Sequence, residues 1–213
     1  MNAVRQQLGS VFNITAQSNV SHLIGLSVRY DLEERTLRID QKEYIAGVLE
    51  KFQMQGAWPV TTSATEAIND MTARKDGVAS AEEVHEYASL VRSLLWIAQG
   101  TRPDISFSVG RCARCVANPS SEHLAAAKRI LRYLKGTIDV SLSACAPRGE
   151  NLLTGWADSD WAGARDCRRS TSGYVFAVDG LVCSWSLKLQ STVANSSVEA
   201  EYVALAAAAC ELI

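Results

Sequence analysis

The 213-residue sequence predicts a mixed α/β chain in two units: a mainly helical one through about residue 145, then a three-stranded antiparallel sheet carrying one helix. Three observations predict it. Between residues 81 and 136, apolar side chains recur with helical period and are punctuated by caps and prolines. Near residue 150 the pattern changes to alternation and short apolar runs divided by turns. An alanine-rich helical stretch, Val198 to Ile213, ends the sequence.

At the N-terminal end, HLIGLSVRY (22–30) and TLRID (36–40) flank the polar turn DLEER, which predicts a hairpin. A helix follows from Gln41 to Met54, with Tyr44, Val48, Leu49 and Phe52 on one stripe. Residues 56–80 carry Gly, Pro, Ser and Thr with little periodicity and predict a linker or long loop. Ser80 and Glu83 have capping-box spacing before Val84, Tyr87, Val91, Leu94 and Ala98, and Gly100 closes that helix. Pro103 suits a first helical turn, with Ile105, Val109, Cys112 and Val116 along one face. Asn118-Pro119 opens a third helix through Lys135, packed by Leu124, Ile130, Leu131 and Leu134. Beyond the break APRGEN, the segments LLTGWAD, GYVFAVD and LVCSWSL read as strands, the last two joined at Asp179-Gly180.

Composition narrows the function classes. A content of 47% hydrophobic and 21% charged residues is that of a globular chain that can build a core. The net charge of −2 gives no global nucleic-acid signature, so any such contact must come from local patches. No apolar run approaches the ~20 residues of a membrane span. Of six cysteines only Cys112 and Cys115 lie close together, without a second pair to complete a zinc site, so reduced thiols in an intracellular chain are expected.

Chemistry concentrates in WADSDWAGARDCRRSTSGYVF. On a strand Asp158 and Asp160 share a face while Ser159 points away. Such a pair serves as solvated turn formers, or as oxygen ligands of a hard cation such as Mg²⁺ if another carboxylate joins from elsewhere. The final helix offers one. With Val198, Tyr202, Leu205, Ala209 and Leu212 as its packing face, Glu201 lies about 60° and Glu199 about 100° from the centre of that face. Glu201 then leans toward the sheet, as a metal ligand or as a boundary glutamate reaching water. Lys128, Arg132 and Lys135 form a basic stripe at i, i+4 and i+7, and Arg165, Arg168 and Arg169 a second basic segment. Either is a solvated face or a phosphate-backbone contact.

These residues also carry a resemblance. WADSDWAGARDCRRSTSGYVF and SWSLKLQSTVANSSVEAEYVAL resemble the ribonuclease H domain of copia-type retrotransposon Pol polyproteins. LIGLSVRYDLEERTLRIDQKEYIAGVLEKFQMQGAWPVTTS is similar to the end of the reverse transcriptase in those polyproteins, and YASLVRSLLWIAQGTRPDISFSVGRCARCVANPSSEHLAAAKRILRYLKGT to the segment joining the two. The resemblance implies a reverse-transcriptase remnant over 1–60, a helical thumb or connection segment over 61–145 and the N-terminal part of a ribonuclease H-like domain over 150–213. It further implies cleavage of the RNA strand of an RNA–DNA hybrid with two Mg²⁺ ions held by four acids, and the remainder of the polyprotein as a partner. Asp158 matches the first-strand aspartate of the family and Glu201 its helix glutamate, with Asp160 and Glu199 one step away in register. The third and fourth acids, and the Tyr-x-Asp-Asp polymerase motif, have no counterpart in the sequence, so little or no ribonuclease activity is expected of this chain alone. A non-catalytic nucleic-acid-binding relic of such an element is the other expectation.

Overall fold

The computed structural model describes residues 8, 10–12, 20–145 and 153–213, with Cys145 described in its backbone only; the expected break at 146–151 lies outside them. Among the described residues from His22 onward, seven strands form two antiparallel sheets, joined by five α-helices. No described helix is long and apolar enough to cross a membrane.

The first sheet runs β1(His22–Leu23), β2(Leu26–Asp31), β3(Thr36–Asp40) and β4(Leu142–Cys145) in that order. The expected strand 22–30 is broken. Ile24 and Gly25 both have positive φ (51° and 78°), and this two-residue turn folds His22–Leu23 back onto β2. Strand β4 was not legible in the sequence. It pairs with β3 through Leu142 to Cys145, so residues from either end of the helical unit close one sheet.

Between β3 and β4 lie α1(Lys42–Lys51), α2(Ala81–Gly100), α3(Ser106–Ala113) and α4(Ser121–Gly136), with a 3₁₀ turn at Pro103–Ile105. The Ser80–Glu83 capping box forms as the spacing requires. At α4, Ser120 and His123 make an equivalent reciprocal pair. Leu90, Leu94, Ile97, Ile105, Val109, Ile130, Leu131 and Leu134 are each fully buried, and this cluster is the main core of the protein. Burial of such side chains stabilises by roughly 1.5–3 kcal/mol each relative to exposure.

The segment 56–80 is a long loop with a 3₁₀ turn at Glu66–Asp70, but it is stapled down rather than free. Arg111 donates to the carbonyls of Ile68, Asn69 and Met71, and Arg132 and Lys135 donate to those of Trp58 and Ala57. Backbone groups without a ladder of their own must find partners, and these cations supply them.

The second sheet is β5(Leu153–Asp160), β6(Thr171–Val178) and β7(Leu181–Leu189), in sequence order, with α5(Ser197–Glu211) against it. Asp179 and Gly180 (φ 51° and 81°) make the expected turn, and a bulge falls at Phe176/Ala177. The chain is therefore mixed α/β with two antiparallel sheets.

Helix α5 departs from expectation. Its buried residues are Ala200, Ala204 and Ala208, whereas Val198, Tyr202, Leu205 and Leu212, the expected packing face, are exposed. The reason is steric. The sheet beneath presents Phe176 over Gly155, and only methyl-sized side chains let the helix axis approach such a surface closely. Hydrophobic periodicity identified an apolar stripe, not the surface that covers it.

Candidate functional site

Strand register fixes which side chains share a face. Trp156 pairs with Val175 and Val175 with Trp185; Asp158 pairs with Gly173 and Gly173 with Leu187. These residues form the face turned toward the 103–106 segment. On the other face Ser159 pairs with Ser172, and there α5 docks. Gln190 clamps it: its Nε2 donates to Ser172 Oγ (2.9 Å) and to the Ala200 carbonyl (3.0 Å). Since Ala200 precedes Glu201, this buried amide sets where Glu201 emerges.

Glu201 Oε1 accepts from the Ser159 amide at 3.4 Å. Helix α5 thus delivers a carboxylate to the outer edge of β5, next to Asp158 in sequence. Asp158 is exposed and makes no hydrogen bond or ion pair among the described residues. The two acids do not stand side by side on one face, as a shared tilt toward the sheet would have had it. Asp158 belongs to the face opposite α5, while Glu201 reaches the amide of the residue that follows Asp158.

The neighbouring acids have structural duties. Asp160 accepts from the Thr171 amide and folds over the turn, where a Cβ at Gly163 would lie only 2.0 Å from its Oδ2. Glu199 accepts from Asn195 through its backbone amide (2.7 Å) and its Nδ2 (3.1 Å), fixing the entry to α5 beside the Ser196 cap. Among the described residues no cluster of three or more metal-ligating side chains forms.

The basic segments divide likewise. Arg132 and Lys135 are engaged by loop carbonyls, whereas Lys128 has no bonded partner among the described residues. Arg165 pairs with Asp70, and Arg114 with Asp166 at 2.6 Å, so the 161–170 turn is stitched to the helical unit. Burial alone would raise the Asp166 carboxyl, but the Arg114 hydrogen bond and charge outweigh it and hold the carboxyl below its ordinary range. Arg169 Nε reaches Cys167 Sγ at 3.4 Å, and that hydrogen bond depresses the thiol. Arg168 adopts a left-handed conformation (φ 57°), and its guanidinium is without a partner among the described residues.

Gln190, and the pairs Arg114–Asp166 and Arg165–Asp70, went unnoticed in the sequence. Each joins residues 10 to 95 positions apart, and spacing carries no signal for such contacts.

No family model and no solved structure matches the chain. Curated proteins do. The chain is 35% identical over 99% of its length to the retrovirus-related Pol polyprotein from transposon TNT 1-94 of Nicotiana tabacum. It is 34% identical over 96% to that from transposon RE1 of Arabidopsis thaliana. It spans 16% and 14% of the length of those two polyproteins. An uncharacterised mitochondrial protein of Arabidopsis thaliana is 32% identical over 100% of the chain, which covers 85% of that protein. The chain therefore belongs to the copia-type retrotransposon Pol polyprotein family.

Proposed function

We propose that this chain is the part of a Pol polyprotein spanning the end of the reverse transcriptase, its helical connection and the first half of a ribonuclease H-like domain, and that Asp158 and Glu201 hold Mg²⁺ for hydrolysis of the RNA strand of RNA–DNA hybrids. One observation carries the reading. Of the four candidate acids, Asp160 and Glu199 are occupied locally, while among the described residues the Asp158 side chain is unbonded and Glu201 has a single long contact one residue away.

The donor set suits the ion. Both groups are exposed carboxylates, and hard Mg²⁺ takes oxygen ligands, commonly one or two carboxylates with water filling the rest. Bound there, Mg²⁺ would supply Lewis-acid activation of water and neutralise charge on the leaving oxygen. The protein's own part is positional. The β5–β6 pairing fixes Asp158, and Gln190 fixes the turn of α5 from which Glu201 reaches the strand edge. Two acids position an ion less tightly than four, so hydrolysis by this chain alone is slow. Hybrid affinity comes from Lys128 and Arg168, with the free donors of Arg132, Lys135, Arg165 and Arg169 adding to it, and it falls steeply with salt.

The test is a labelled RNA–DNA hybrid incubated with the purified chain and Mg²⁺. Slow cleavage that disappears in Asp158→Asn and Glu201→Gln but persists in Asp160→Asn and Glu199→Gln is expected. Cleavage surviving Asp158→Asn overturns the assignment, as does an unaltered chain that neither cleaves nor changes its hybrid affinity with Mg²⁺. The second reading, a nucleic-acid-binding module without chemistry, is favoured by one observation: a relative of nearly the same extent exists as a mitochondrial protein, 85% of it covered by this chain. Salt-sensitive hybrid binding indifferent to Mg²⁺ is its signature.

A further inference from the structure

Between the sheet face that carries Asp158 and the Pro103–Ser106 segment lies a cleft of about 230 Å³. Trp156, Val175, Trp185, Leu187 and Pro103 give it aromatic and aliphatic walls, and among the described residues Asp158 is the only charged one lining it. Trp185 is a fixed wall, because its indole N–H donates to the Ala98 carbonyl at 3.0 Å. Trp156 is 62% exposed and borders the mouth. Gly173, opposite Asp158 in the register, leaves the floor bare; a Cβ there would meet nothing closer than Ser186 O at 3.8 Å.

We infer that this cleft binds a single unpaired nucleobase, with the ring against the indoles and an amino group donated to Asp158. Three features select that occupant. Flat indole walls favour a planar π-system, and stacking on an aromatic side chain needs no sequence match. Without bound metal, a lone carboxylate accepts hydrogen bonds but repels phosphate, so the base enters while the sugar-phosphate stays outside near the cations. The volume suits one ring system and is too small for a folded peptide. Amino-bearing bases such as cytosine are therefore preferred over thymine, whose edge offers the carboxylate only one N–H. The inference rests on the nucleic-acid reading above but not on its metal chemistry.

Tryptophan emission of the whole chain, recorded in EDTA, is titrated with oligodeoxycytidine, oligothymidine and an abasic oligomer of equal length. Oligodeoxycytidine is expected to quench emission and to bind about tenfold tighter than the abasic oligomer, as one stacked base allows. Gly173→Leu fills the floor and Trp156→Ala removes the exposed wall; each is expected to abolish that advantage while far-UV circular dichroism and melting temperature stay unchanged. Because Trp156 is largely exposed, its variant keeps the test valid should Gly173→Leu fail to fold. In Asp158→Asn the cytosine-over-thymine preference is lost although quenching remains. Equal binding of the abasic oligomer, or full affinity in a folded Trp156→Ala chain, overturns the inference; a fluorescence change caused only by protein partners would do the same. Quenching in EDTA survives if the metal assignment is wrong, so the two failures are distinguishable.

Discussion

The helical unit and the C-terminal sheet unit are packed by different rules. In the first, leucine, isoleucine and valine from four helices interdigitate, and a fully buried guanidinium among them is paired. Arg102, fully buried, forks onto Asp104 and donates to the Thr137 carbonyl. Burial alone would raise the Asp104 carboxyl, yet Arg102 and the Tyr133 hydroxyl outweigh it and hold the carboxyl below its ordinary range. In the second, a helix meets a sheet through Ala200, Ala204 and Ala208, over a face that carries Gly155, Ser172 and the paired rings of Tyr174 and Phe176. Small side chains bury less apolar area, so less stability resides there. The difference teaches where the chemistry can live: exposed carboxylates and tryptophans sit on the lightly packed unit, held against a firmly packed one.

The comparison breaks most readily at the helical core. Leu94→Ala, at a site with no solvent exposure, is expected to cost about 2–5 kcal/mol in urea unfolding. Thiol chemistry sharpens it next. Burial pushes the Cys112 thiol up to about 11, while the hydrogen bond from Arg169 lowers Cys167. At neutral pH, iodoacetamide should therefore modify Cys167 more than about a hundredfold faster than Cys112. Raising pH toward 11 narrows that ratio as Cys112 ionises; equal rates at pH 7 would contradict the burial contrast. Gly155→Val comes third. Its first side-chain atom would lie 2.3 Å from the Phe176 ring, so a loss of about 1–3 kcal/mol is expected, confined to the sheet unit in hydrogen exchange. Leu205→Ala is the smallest. That side chain is 58% exposed, and a change within about 0.5 kcal/mol is expected although periodicity marks it as core.

That last contrast measures how far the sequence could be read. Helices α1 to α4 and the three strands of the second sheet were legible because caps, prolines and the Asp179-Gly180 turn are local signals. Strand β4 was not, since its pairing with β3 depends on residues about a hundred positions away. The face of α5 was misread because apolar periodicity cannot distinguish a covered stripe from an uncovered one. At the site, the sequence narrowed the acids to Asp158, Asp160, Glu199 and Glu201. Only the hydrogen bonds to Thr171 and Asn195 separate the two structural ones from the two available ones.

Mn²⁺, a paramagnetic substitute for Mg²⁺, tests the central claim directly through amide line broadening in the folded chain. Broadening centred on Ser159, Gly173 and the first turn of α5, lost in Asp158→Asn and retained in Asp160→Asn, is the expected result. Broadening that persists undiminished in Asp158→Asn, or that centres elsewhere, would contradict it.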